Sequence, residues 1–227
     1  MTEKLILGGG GGKEDSRFID NYLVNELKIA NSKSIAYIPI ALDSGRHNAA
    51  FAWFNSVFSN RIEKIKMWED LATISLDDMR EFGAIYIGGG NTVRLLQHIK
   101  STRFDIHLKS YILGGGIVYG GSAGAIILGK DIRTAPEARG ISLNDYEGLN
   151  VLGGYSILCH YDSERENKKE VLDLSSLIKS PIISIPEKSG IVSASGKLLV
   201  LGNESVDVFY KDSIKTFSSQ QNIVLNF

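Results

Sequence analysis

The chain has 227 residues, with 43% hydrophobic and 22% charged residues, the proportions of one ordinary globular domain spanning 1–227; disorder and fibrous architectures are excluded. Its 25 basic and 26 acidic residues are interspersed, so no one-signed field is available to attract nucleic acid or an anionic membrane. No apolar run approaches the roughly 20 residues that a bilayer span needs.

Residues 4–7 read as a first strand, after a start that lacks the basic leader, long apolar region and cleavage site of an export signal. A cytoplasmic location is expected, and the single cysteine, Cys159, fits a reducing compartment because it permits no intramolecular disulfide. The glycine run 8–12 is a poor phosphate cradle. The strand after it ends in Pro39-Ile40-Ala41 rather than an acid, and Gly12-Lys13 is followed by Glu14 rather than Ser or Thr. A flexible loop beside the active edge is the expectation.

Residues 15–29 place Phe18, Ile19, Tyr22, Leu23 and Leu27 near one helical face, with Asp15 or Ser16 as N-cap. Strands are expected at 34–40, 62–67, 84–87 and 117–119, with a helix at 49–58 whose aromatics Phe51, Phe54 and Phe58 pack in the core. Strands alternating with helices, and strands apolar on both faces, imply a doubly wound α/β fold around a mostly parallel sheet. After Pro186 closely spaced runs at 191–193, 198–201 and 206–210, separated by Ser195-Gly196 and Gly202-Asn203, imply a C-terminal β-hairpin appendage.

Two turns carry chemistry. Gly120-Gly121-Ser122-Ala123-Gly124 joins a buried strand to a helix with the Gly-x-Ser-x-Gly spacing of a nucleophile elbow, which lifts Ser122 Oγ to the sheet's C-terminal edge. The Ala123 amide is the nearest oxyanion donor. Gly88-Gly89-Gly90-Asn91-Thr92 also follows a buried strand, where Gly89 or Gly90 offers a second donor amide, Asn91 is a candidate substrate contact, and Asn91 or Thr92 is the N-cap of the next helix.

A serine hydroxyl needs a base, and the base an orienting acid. His47 falls at a helix start, and His98 and His107 at positions suited to solvent faces. His160 ends the apolar run 155–160 and precedes Tyr161-Asp162-Ser163-Glu164, so it is the base candidate. Cys159 points to the opposite face and is read as inert packing. Glu187, at the end of the run 182–186, and Glu137, in the loop after the Ser122 helix, compete for the acid, with Glu187 preferred.

As a set in this order, the Gly88–Thr92 cluster, Gly121-Ser122-Ala123-Gly124-Ala125, Leu158-Cys159-His160-Tyr161 and Pro186-Glu187 resemble the peptidase E family, the aspartyl dipeptidase and cyanophycinase group of serine peptidases. The resemblance spans most of the chain. It implies a class I glutamine amidotransferase-like (flavodoxin-like) α/β fold, a triad of Ser122, His160 and Glu187, and an oxyanion hole from Gly89 and Ala123. It further implies a substrate-binding acid at Glu137 and an arginine soon after the histidine, here Arg165, for an aspartate side chain. Flanking Glu164 and Glu166 oppose that last role. The expected function is acyl-enzyme hydrolysis of small peptides without cofactor or metal, with a homodimer as one arrangement. An esterase of the α/β-hydrolase type and a non-catalytic peptide-binding protein are the alternatives.

Overall fold

A computed structural model describes residues 4–139 and 146–224. Strands β1 (Lys4–Gly8), β2 (Ser34–Ile38), β3 (Lys64–Met67), β4 (Ala84–Ile87) and β5 (Ile117–Gly121) lie parallel in the order β3-β2-β4-β5-β1. Between them run α1 (Arg17–Ile29), α2 (His47–Phe58), α3 (Leu76–Arg80), α4 (Thr92–Ser101) and α5 (Phe104–Leu113), and α6 (Ala123–Leu128) follows β5 directly.

Alternation of side chains along each buried strand assigns them to two cores. Leu5, Leu7, Ala36, Ile38, Ile85, Ile87 and Val118 face α4, α5 and α6, where Leu95, Leu96, Leu108 and Ile127 close on them. Ile6, Ile35, Tyr37, Tyr86 and Tyr119 face α1 and α2, against Leu23, Leu27, Phe54 and Phe58. Helices therefore cover both faces of a mostly parallel sheet. Phe18, expected on the buried face of α1, is instead exposed, because Ile19, Leu23 and Leu27 already fill that stripe. Ser16 stands at the expected N-cap of α1 without capping it; its Oγ donates to the Gly12 carbonyl and the Asp20 carboxylate.

The stretch after α6 builds both a second sheet and an extension of the first. Strands β6 (Ser156–Cys159) and β7 (Ile182–Ile185), linked by α7 (Lys168–Ile178), pair in parallel, and β10 (Val206–Tyr210) and β11 (Ser213–Phe217) continue that sheet antiparallel. The intervening β8 (Ser189–Ala194) and β9 (Lys197–Gly202) join β1 antiparallel, with the short β12 (Asn222–Ile223) at the edge. The strand runs read as an appendage are thus shared between the two sheets. Among the described residues no helix is long and apolar enough to cross a membrane.

Candidate active site

The C-terminal ends of β1, β2, β4 and β5 form one rim, the usual position for chemistry in such sheets. Ser122 sits there between β5 and α6 at φ 49°, ψ −112°, a conformation sparsely populated by L-residues. Its neighbours hold it so. A Cβ on Gly120 would lie 2.6 Å from the Gly124 carbonyl, and one on Gly124 would lie 2.3 Å from the Ile87 carbonyl. Glycine at both places lets α6 press against β4 and β5, and the turn that results carries the hydroxyl outward. The Ser122 carbonyl accepts the Ala125 and Ile126 amides, which starts α6, while the Ser122 amide donates to Gly8 O at 3.1 Å.

His160 and Glu187 follow β6 and β7 of the other sheet. His160 Nε2 lies 2.8 Å from Ser122 Oγ, and Nδ1 lies 2.7 Å from Glu187 Oε1. The two contacts form one continuous chain from carboxylate to hydroxyl. Both the imidazole and the carboxylate are about half exposed, so the array opens to solvent. Gly89 is beside it: a Cβ placed there would be 3.2 Å from Ser122 Cβ and 3.7 Å from Oγ. The Gly88 and Asn91 amides are bonded to Ile38 O and Ala41 O, which fixes the turn on either side of Gly89. Ala123 is the first residue of α6, where amides have no partner within the helix.

The other expected residues fall as follows. Asn91 caps α4 through Oδ1, which accepts the Arg94 amide at 2.8 Å. Glu137, half-buried on a 3₁₀ turn, accepts the Thr92 amide at 2.7 Å through Oε1, so that at least one of its oxygens is committed to the start of α4. Arg165 is 88% exposed and pairs with Asp162 at 3.3 Å. Among the remaining histidines, His47 is buried against Glu69 and Leu42 O. His98 and His107, expected on solvent faces, are half-buried, and His107 contacts Ile74 O. Cys159 is buried, its thiol pushed up far beyond the usual range by desolvation, and it lies against the Gly8 and Ser122 carbonyls. Among the described residues no group of three or more His, Cys, Asp or Glu could hold a metal ion.

The glycine run after β1 is more closely bound to this array than a flexible loop. Gly9 O accepts the His160 amide at 2.9 Å and Gly9 N donates to Ser189 O at 3.1 Å. Side chains would not fit: a Cβ on Gly9 would lie 1.9 Å from Pro186 O, and one on Gly11 would lie 2.6 Å from Glu187 O. The signal was available in the sequence as a glycine run at the end of a central strand, since β1 pairs β5 with Gly8 opposite Gly121. Two cavities flank the array. One of about 120 Å³ touches Ser122, Gly89 and Glu187; the other, about 910 Å³, lies on the far side of His160 and Glu187.

The arrangement is of the kind found in serine-type hydrolases on α/β scaffolds. The model of peptidase family S51 matches residues 5–201, and the chain belongs to that family. A probable alpha-aspartyl dipeptidase of Drosophila melanogaster is 25% identical over 216 residues, 91% of this chain and 87% of that one. Peptidase E of a Nostoc species is 23% identical over 230 residues, covering 92% and 90%. With the Listeria monocytogenes peptidase Lmo0363 the identity is 35% over 102 residues, 41% of this chain and about half (49%) of that protein. The fold matches the crystal structure of a peptidase from an acI-B1 Actinobacterium with a TM-score of 0.74, at 20% identity over 99% of this chain and 98% of that one. Family S51 is the one of peptidase E and the alpha-aspartyl dipeptidases, a family of serine peptidases.

Proposed function

We propose that the chain hydrolyses a peptide bond of small peptides through an acyl-enzyme on Ser122. The observation that carries this reading is the unbroken relay of Glu187, His160 and Ser122 at 2.7 and 2.8 Å. His160 Nε2 accepts the Ser122 proton as Oγ attacks the scissile carbonyl, and the carbonyl oxygen becomes an oxyanion held by the Gly89 and Ala123 amides. The imidazolium then protonates the leaving nitrogen as the C–N bond breaks. Water, deprotonated by His160, cleaves the ester and the proton returns to Oγ. Glu187 keeps Nδ1 protonated and stabilises the imidazolium, the part a third group plays in such triads.

Glu137 is assigned to the support of α4, and through it the Gly88–Asn91 turn, rather than to the triad; its bond to the Thr92 amide favours this. The fold is read as class I glutamine amidotransferase-like, a reading supported by the five-stranded parallel order with the nucleophile turn after β5. The deciding experiment is fluorophosphonate labelling of the folded chain at neutral pH together with dipeptide hydrolysis. Ser122→Ala is expected to abolish labelling and to lower kcat by ~10⁴ to 10⁶. Wild-type hydrolysis by that variant would refute the mechanism, and a strong preference for p-nitrophenyl esters over dipeptides would move the reading to an esterase.

A further inference from the structure

Ser16 and Asp20, one helical turn apart at the start of α1, hold the far end of the glycine run against which His160 rests. β1 fixes the near end, since Gly8 pairs with both Gly121 and Gly190. From there the run accepts the His160 amide on Gly9 O, crosses the imidazole at Gly10 and passes the Glu187 carbonyl at Gly11. Its next fixed point is the Gly12 carbonyl, which accepts the Ser16 amide at 2.9 Å and lies 3.0 Å from Ser16 Oγ. That same hydroxyl is 2.8 Å from Asp20 Oδ2.

A serine hydroxyl has one hydrogen and can donate it fully to one acceptor. With Asp20 ionised, Gly12 O and Oδ2 compete for that hydrogen, and the carboxylate prevails because a charge-assisted bond is about twice as strong as a neutral one. With Asp20 protonated, the carboxyl O–H donates to Ser16 Oγ, and the serine hydrogen is released to Gly12 O. Both observed contacts are then full hydrogen bonds, so the geometry corresponds to the neutral acid. Burial agrees. Asp20 is 2% exposed, and its Oδ1 is buried with no hydrogen-bond partner among the described residues, a setting that penalises a charge.

The surroundings do not reverse this preference. Tyr119 of β5 and Tyr86 of β4 face the carboxyl, and burial keeps both phenols protonated. Arg61, beyond α2, is the cation that acts on Asp20, but its guanidinium already donates to Asn21 Oδ1 and Val57 O. Near the start of α1 the exposed Arg17 pairs with Glu14, and the exposed Lys13 donates to Ser56 O. β8 has no ionisable residue. Lys4 of β1, paired with Glu26, and Lys197 of β9 stand at the opposite end of the strands from Gly8. Desolvation therefore dominates and raises the carboxyl to about 6.

Resting on the triad reading above, we propose that Asp20 is a positioning residue of the reaction: its neutral carboxyl frees Ser16 to anchor Gly12, and with it the glycine run that sets the His160 ring against Ser122, whereas its ionised form withdraws that anchor. The test compares fluorophosphonate labelling of Ser122 in the wild type and in Asp20→Asn from pH 5 to 8. The amide of Asp20→Asn donates to Ser16 Oγ at every pH, and the titration of His160, common to both proteins, cancels in the ratio of rates. That ratio is expected near 1 at pH 5. It should climb through a midpoint near 6 to about threefold to tenfold in favour of Asp20→Asn at pH 8, the worth of one net hydrogen bond. Ser16→Ala, which alters no buried group, gives the complementary reading: its rate relative to wild type should be lowest at pH 5 and approach parity at pH 8. In the Ser16→Ala background Asp20→Asn should change nothing. A ratio independent of pH in either comparison, or an Asp20→Asn effect that persists without the Ser16 hydroxyl, overturns the proposal. Backbone hydrogen exchange at residues 9–13 reads the anchor without chemistry, with protection in Asp20→Asn relative to wild type rising over the same pH range. A wild type that fails to label refutes the triad reading alone, and the exchange ratio then decides for or against Asp20.

Discussion

Gly10→Ala is the most exacting perturbation of the proposed machinery, because it adds one methyl group and replaces none of the three reacting side chains. Gly10 has φ +103°, and a Cβ built there would sit 2.4 Å from His160 Cε1 and 2.5 Å from Nε2. Ordinary carbon contacts begin near 3.4 Å, so the ring or the loop must retreat by about 1 Å. A ring displaced that far lengthens the 2.8 Å contact with Ser122 Oγ beyond useful hydrogen bonding, and misplacements of that size cost on the order of 10² in rate. The backbone adds a separate penalty of about 1 kcal/mol for an L-residue at positive φ. Gly153→Ala separates the two effects: Gly153 also has positive φ, +64°, but nothing lies within 4 Å of its Cβ position. Both variants are expected to lose about 1 kcal/mol or somewhat more in urea unfolding. Only Gly10→Ala is expected to slow fluorophosphonate labelling of Ser122, by about 100-fold. Labelling of Gly10→Ala at the wild-type rate would refute the claim that the His160 contact activates the serine.

Further expectations concern the acids. Glu187→Gln should preserve the geometry while offering the wrong partner to Nδ1, lowering kcat by ~10³ to 10⁴ with unchanged far-UV dichroism; a change under tenfold would remove Glu187 from the triad. Glu137→Gln keeps an acceptor for the Thr92 amide and should hold kcat within about threefold, whereas a loss of ~10³ would transfer the triad role to Glu137. Asp20 is raised to about 6, chiefly by desolvation, with the Ser16 hydroxyl opposing the rise. The folded state therefore binds the proton more tightly than the unfolded chain. The stabilisation this gives is full below about pH 4 and is lost as the pH climbs through 6, amounting to about 3 kcal/mol at most. Urea unfolding of Asp20→Asn from pH 4 to 8 should lack that part of the slope, and an unaltered slope would show that Asp20 does not titrate in this range.

Ser122 was legible because steric demand leaves a local mark: Gly120 and Gly124 are the residues that allow the helix to close on the strands, and they flank the serine in the sequence. His160 was legible for a different reason, as the one histidine at the end of an apolar strand. What local pattern does not encode is which strands pair. Residues 156–159 and 182–185 are buried throughout, so their apolar texture is the same whether they extend the first sheet or found a second. The row of Tyr37, Tyr86 and Tyr119 was hidden for the same reason: each looks like a core aromatic within its own strand, and only the cross-strand register sets the three side by side.

The division of the relay between two sheets has a consequence for when the enzyme becomes competent. Ser122 is anchored to β5 and Gly8, while His160 and Glu187 extend from β6 and β7, and the two groups meet across one hydrophobic core in which Val118 and Ile127 pack with Ile157 and Ile185, with Gly9 O bonded to the His160 amide and the buried Cys159 thiol against Gly8 and Ser122. A chain whose strands have formed but whose shared core has not closed is chemically silent. Hydrolytic activity is thus a readout of that closure: on dilution from denaturant it should emerge later than helical dichroism.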